Sequence, residues 1–184
     1  MIVPGCGFDS LPSDLSAYLS VCALKDHLGS ATEAGQSVTA HAMKGGISGG
    51  TLSTMYTCVD PESQLREKLD EAQKDHALSP AAGAPSPPLR ILYSLPHVSP
   101  TILGGFFFMS SINRSIVLRT RGLLEVHPSM RPVTYGPKFT YEEFAVTPNR
   151  FAAALLSLSG YFITLSLLGS SIVIFLAHKV CYVC

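Results

Sequence analysis

Between Gly5 and Asp14 the chain reads Gly-Cys-Gly-Phe-Asp-Ser-Leu-Pro-Ser-Asp, and these are the residue types that could hold a small ligand. Glycines at a strand end let backbone amides approach a bound molecule, while Asp9, Ser10, Ser13 and Asp14 add polar side chains beside them. The same residues have a second use. Ser10, Leu11, Pro12, Ser13 and Asp14 spell a helix start, with capping side chains, a proline in the first turn and an early acid, so the polar groups could serve the helix alone.

A second glycine-rich stretch, Gly45-Gly46-Ile47-Ser48-Gly49-Gly50-Thr51, also precedes a helical pattern. Successive amides at a helix start can cradle an anion. The stretch lacks the Gly-Lys-Ser/Thr ending of a phosphate loop, and the chain contains no Gly-x-Gly-x-x-Gly. A flexible turn with a helix cap is the simpler reading. Arg114, Arg119 and Arg121 could bind phosphate groups, anchor the protein at lipid headgroups, or form a solvated face. His27, His41, His76, His97, His127 and His178 are scattered without metal-ligand spacing, so no metal site is expected. No Ser, His and Asp constellation can be assembled by spacing.

The elements that must position these groups follow from periodicity. Ile2 and Val3 read as a strand end, and the helix opened by Pro12 is expected to run to about His27, burying Leu15, Tyr18, Leu19, Cys22 and Ala23 before Gly29 ends it. Ser37 to Lys44 alternates as a short strand. Asp60-Pro61-Glu62 starts another helix, with Leu65, Leu69 and Ala72 as its apolar stripe. Ser79 to Pro88 is expected to be a disordered or polyproline loop, with a proline-recognition ligand as the alternative. Arg90 to Leu95 reads as a short strand and Pro96 to Gly105 as loop. An apolar helix runs from Phe106 through Leu124. Gly136 to Val146 is a strand with Phe139, Tyr141 and Glu143 on one parity.

Composition sets bounds on the whole. The chain has 184 residues, 13 basic and 13 acidic, so bulk charge gives no reason to expect a nucleic-acid partner. A charged fraction of 14% and a mean hydropathy of +0.30 lean toward membrane association. Five cysteines without regular spacing imply reduced thiols, and no leader is expected from the first residues. Phe151 to Ala177 carries no charged residue and lies between Arg150 and His178-Lys179. At about 1.5 Å per residue it is long enough to span a hydrocarbon core of about 30 Å. A buried or interfacial helix is the alternative. The terminal Cys181-Tyr182-Val183-Cys184 fits neither a redox pair nor a prenylation box well.

GCGFDSLPSDL resembles a segment of the saccharopine dehydrogenase-like oxidoreductases, the group that includes the bacterial trans-acting enoyl reductases. SGGTLSTM at Ser48 to Met55, FFMSSINRSIVLRTRGLLE at Phe107 to Glu125 and the late apolar segment match in the same order. The resemblance covers most of residues 1 to 177. It implies an α/β (or α+β) fold: residues 1–36 as the distal edge of a Rossmann-type dinucleotide-binding fold, 37–150 as part of an α+β substrate domain, and 151–178 as a membrane-associated or transmembrane helix ending near Phe151 and Ala177. It also implies that Gly5, Cys6, Gly7, Phe8, Asp9 and Ser10 face the nicotinamide end of NAD or NADP, and that Ser48 and Thr51 line the substrate side. The expected function is that of a fragment of a nicotinamide-dependent oxidoreductase of lipid or glycolipid metabolism, binding no cofactor and inactive by itself. The rival is a non-catalytic protein of a membrane or lipid droplet, and an incomplete gene model is a third reading. The resemblance places the chain at the lipid droplet, the endoplasmic reticulum or another intracellular membrane, with a lipid-like substrate and no nucleic-acid partner.

Overall fold

The computed structural model describes residues 10–42, 76–95, 97–127, 129 and 133–162. Gly5, Cys6, Gly7, Phe8, Asp9, Ser48, Thr51 and Ala177, and the helix expected after Asp60, lie outside the described residues. Helix α1 spans Leu11–Leu28, β1 Gln36–His41, β2 Tyr93–Ser94, β3 Leu103–Gly105, α2 Ser110–Val126 and β4 Thr140–Val146. A further helix, α3, covers 150–162.

Proline in the first turn opens α1, and Gly29 closes it at φ +98°, with its amide donating to the Lys25 carbonyl at 2.8 Å. The face it buries differs from the expected one. Ser13, Ala17, Val21 and Lys25 point inward, whereas Leu15 and Leu19 remain 47% and 56% exposed. Small side chains at i, i+4 and i+8 let α1 lie close against its neighbours, and that shape requirement outranks the larger apolar area of the leucines.

The four strands form one mixed sheet in the order β1-β4-β3-β2. β1 runs parallel to β4, with Thr39 beside Glu143 and His41 beside Ala145. β3 is antiparallel to both β4 and β2. β3 was expected to be loop, since its Leu-Gly-Gly has almost no strand signature. Its glycines are there for close approach: a Cβ on Gly105 would stand 2.5 Å from the Ala153 carbonyl oxygen of α3. The fold is mixed α/β, consistent with a partial Rossmann-like arrangement, as the sequence implies.

The core lies where α1 and α2 meet the sheet, and comprises Ala17, Val21, Val117, Leu118, Tyr135, Phe139 and Tyr141 with Ala34. The alternation of β4 turns Tyr141 and Glu143 into it. The proline-rich segment has no helix or strand, but it does not hang free. Arg121 Nη1 donates to the Ala82 carbonyl at 2.8 Å, Ser79 Oγ donates to the Ala81 carbonyl, and His76 Nε2 lies 3.0 Å from the Ala84 carbonyl. Among the described residues no helix is long and apolar enough to cross a membrane. Within α3, Phe151, Leu155, Leu158 and Phe162 are exposed while Ala153 and Ser157 are buried.

Candidate functional site

A strand that puts two aromatic positions into a core has also put a carboxylate there. Glu143 follows Tyr141 by two residues on β4, so the strand period of two buries both. Taking a carboxyl group out of water costs several kcal/mol on the order-of-magnitude scale unless donors replace the lost solvent. Four donors converge on Glu143. Oε2 accepts from Tyr141 Oη at 2.8 Å and Ser13 Oγ at 2.9 Å, and stands 3.1 Å from His41 Nε2; Oε1 accepts from Asn113 Nδ2 at 2.8 Å. Such a ring suits an ionised carboxyl, which only accepts.

Each donor comes from a different part of the fold. Ser13 sits in the first turn of α1, Asn113 in the first turn of α2, His41 at the last residue of β1, and Tyr141 on the same strand. Burial, and then the charge of Glu143, push the Tyr141 phenol well above its ordinary range, so it stays a donor. For the His41 contact to be a hydrogen bond, Nε2 must carry the proton, which leaves Nδ1 as the basic nitrogen of the neutral ring. The imidazole stacks on Phe107, with ring centroids 4.7 Å apart and planes 23° apart. Phe107 in turn meets the edge of Phe108.

Serine, histidine and glutamate together invite comparison with a nucleophilic triad, and the geometry excludes it. A triad uses both imidazole nitrogens, one toward serine and one toward the acid. Here Ser13 Oγ and Glu143 Oε2 share the same Nε2, the Ser13 contact is long at 3.4 Å, and the hydroxyl proton goes to the carboxylate. Ser13 is therefore not activated for attack.

One residue along α1, Asp14 makes a separate contact. Its Oδ2 accepts from Thr120 Oγ1 of α2 at 2.8 Å. Among the described residues, Asp14 Oδ1 and the Tyr135 hydroxyl have no hydrogen-bond partner. Burial raises the Asp14 pKa, and the Thr120 hydrogen bond opposes part of that rise. The Tyr135 phenol is raised too, by burial first and then by the Asp14 charge.

Of the six residues matched to a cofactor, only Ser10 is described. It is the buried N-cap of α1, but its side chain makes no capping bond; its carbonyl accepts from the Asp14 amide at 3.1 Å. Asp14 does not cap either, since its carboxylate is turned toward α2. Of the three arginines, Arg121 is neither a phosphate or headgroup ligand nor part of a solvated face. It is buried, paired with Glu125 at 2.6 Å and bonded to the Ala82 carbonyl. Sequence reasoning missed the His41, Asn113 and Glu143 cluster. The available signal was a carboxylate on the parity of Phe139 and Tyr141, a position an unpartnered acid would not tolerate.

The two glycine-rich stretches join the described chain beside this cluster. Ser10 stands three residues before Ser13, and His41 four residues before Gly45, where the second stretch begins. No family model matches the chain, and no solved structure matches it. Two curated relatives do. They carry the names "Putative trans-acting enoyl reductase Rv2449c" and "Putative trans-acting enoyl reductase MT2525", from Mycobacterium tuberculosis strains H37Rv and CDC 1551. Each is 32% identical over 168 residues, a match that covers 86% of this chain and 38% of the relative. The chain thus spans well under half the length of the proteins it matches, and over most of its own length it is a distant homologue of proteins named as enoyl reductases.

Proposed function

We propose that this chain forms part of a nicotinamide-dependent oxidoreductase of the saccharopine dehydrogenase-like kind, reducing an enoyl group in a lipid or glycolipid precursor. The observation that carries the reading is the 32% identity to the mycobacterial relatives over 86% of the chain. The fold is compatible with it. Mixed α/β architecture with β1 parallel to β4 suits a Rossmann-like edge.

The described residues do not fit the anionic part of a dinucleotide. The start of α1 is bonded through Ser13 to the Glu143 carboxylate, and a buried negative charge there disfavours a pyrophosphate. No step is therefore assigned through the cofactor. What the chain's own residues supply is a fixed polar cluster: Glu143 is held by four donors, and His41 is held by Glu143 and Phe107. The lipid-like substrate and the membrane or lipid-droplet location belong to the same proposal. Their support is the outward apolar row of Phe151, Leu155, Leu158 and Phe162 on α3, which continues in sequence through uncharged residues to Ala177.

The test is reduction of a trans-2-enoyl thioester by NADPH or NADH, using protein purified from its native source and following the saturated product by mass spectrometry. Cofactor-dependent formation of that product is the expected result. Its absence with both cofactors would sink the reading.

A further inference from the structure

We propose that Ala84 to Arg90 is a docking peptide for a partner protein, a domain of the SH3 kind that offers an aromatic groove to the prolines and an acidic pocket to Arg90. This stands apart from the reductase reading and does not rest on it. The sequence is Ala-Pro-Ser-Pro-Pro-Leu-Arg, with Pro85 and Pro88 three positions apart and Arg90 two positions further on. Each proline holds its own φ at about −65° and keeps the residue before it extended, so Ala84, Ser86 and Pro87 are all driven toward polyproline II geometry. That helix has about three residues per turn, which sets Pro85 and Pro88 on one edge. Domains with aromatic-lined grooves read such an edge.

The fold displays the segment instead of burying it. Residues 82–90 belong to no helix or strand, and their peptide bonds are trans. Pro85, Pro88, Leu89 and Arg90 are exposed, Leu89 at 71%, while Ala84 and Pro87 are half-buried. Among the described residues no hydrogen bond engages the carbonyls of Pro85, Pro87, Pro88 or Leu89, so these acceptors stay open to a partner. The ends, by contrast, are fastened. On one side Arg121 donates to the Ala82 carbonyl and His76 Nε2 lies 3.0 Å from the Ala84 carbonyl. On the other, the Arg90 amide donates to the Tyr93 hydroxyl at 3.1 Å, and the Arg90 carbonyl accepts from the Tyr161 hydroxyl at 2.7 Å. A peptide already stiff and tied at both ends loses little freedom when it binds.

Charge supplies the direction. Arg90 is the only Asp, Glu, Lys or Arg between His76 and His97. Its side chain is 51% exposed, and its Nε stands 3.8 Å from Glu142 Oε1, a loose surface pair that a partner's carboxylate replaces at small cost. One cation at one end of the proline edge admits a groove in a single orientation, with its acidic pocket over Arg90. A connector that only closed the chain between neighbouring elements would need neither the exposed edge nor the charge at its end.

The test titrates the full 184-residue chain into an isotope-labelled SH3 domain selective for Pro-x-x-Pro-x-Arg peptides, with amide shifts of its groove followed by NMR. A synthetic peptide of residues 82–92 is the reference. The chain is expected to saturate the groove at least as tightly as the peptide does. Arg90→Ala, and Pro85→Ala combined with Pro88→Ala, are each expected to weaken binding roughly tenfold, and Pro80→Ala, outside the motif, to leave it unchanged. The substituted side chains are exposed and the prolines donate no hydrogen bond, so unchanged circular dichroism is expected of every variant. Failure of the peptide to bind overturns the proposal, as does a peptide that binds when the folded chain does not. Binding by Arg90→Ala or by the double proline variant as tight as wild type overturns it too.

Discussion

Asp14 is pulled two ways by its position. As an acid in the first turn of α1 it faces the positive end of the helix dipole, which favours its charge, and Thr120 donates to it. Burial opposes ionisation and dominates, so its pKa lies above the ordinary aspartate range. The sign of the stability effect follows. The raised carboxyl holds its proton in the folded state at pH values where the unfolded chain, near pKa 3.9, has lost it. Its contribution is therefore fully present below that unfolded value and is lost as pH rises through the folded pKa. Asp14→Asn keeps an oxygen for Thr120 and removes the ionisation. The expected outcome is that the variant gains on wild type between about pH 4 and pH 7, read as a growing gap in urea midpoints. A gap that shrinks with pH would show that the helix dipole and Thr120 win. Neither Asp14 nor Glu143 could be assigned this way by spacing, because Ser13, His41, Asn113 and Glu143 are brought together by four separate elements.

Helix α1 shows where periodicity succeeds and fails. Pro12, the early acid and Gly29 mark its ends, since capping chemistry is local. Its buried face is a tertiary matter. Leucines at 11, 15 and 19 make an apolar row as regular as any core stripe, yet they are exposed, while Ala17 and Val21 pack beneath. The expected outcome is that Val21→Ala costs roughly 2 kcal/mol of unfolding free energy through the cavity it leaves. Leu15→Ala, on the exposed side, should stay within about 0.5 kcal/mol. The same measurement with the ranking reversed would restore the leucine-inward helix. β4 was legible because Tyr141 and Glu143 alternate with Thr140 and Glu142. β3 was not, because Gly104 and Gly105 answer to a crowded backbone, where Phe144 and Ala153 leave no room for a side chain. Arg121 was likewise opaque: its role is to tie the Ala82 carbonyl to α2, and no local pattern announces a buried arginine.

At the scale of the molecule, two features bear on what the chain can hold. Its sequence contains no Gly-x-Gly-x-x-Gly, the turn that lets a pyrophosphate approach a helix start. In the first turn of α1 the Ser13 hydroxyl donates to the buried Glu143 carboxylate, so a negative charge already lies beside that helix start. Cofactor binding needs amides free of a competing anion, and the cluster of Ser13, His41 and Glu143 places such an anion beside the start of α1. The consequence is measurable on the 184-residue chain. Titrated with NADPH and followed by cofactor fluorescence, it is expected to show no saturable binding in the micromolar range where a nicotinamide enzyme would. Stoichiometric micromolar binding would mean that amides of this chain do reach a pyrophosphate, and would place the cofactor beside Glu143 despite its charge.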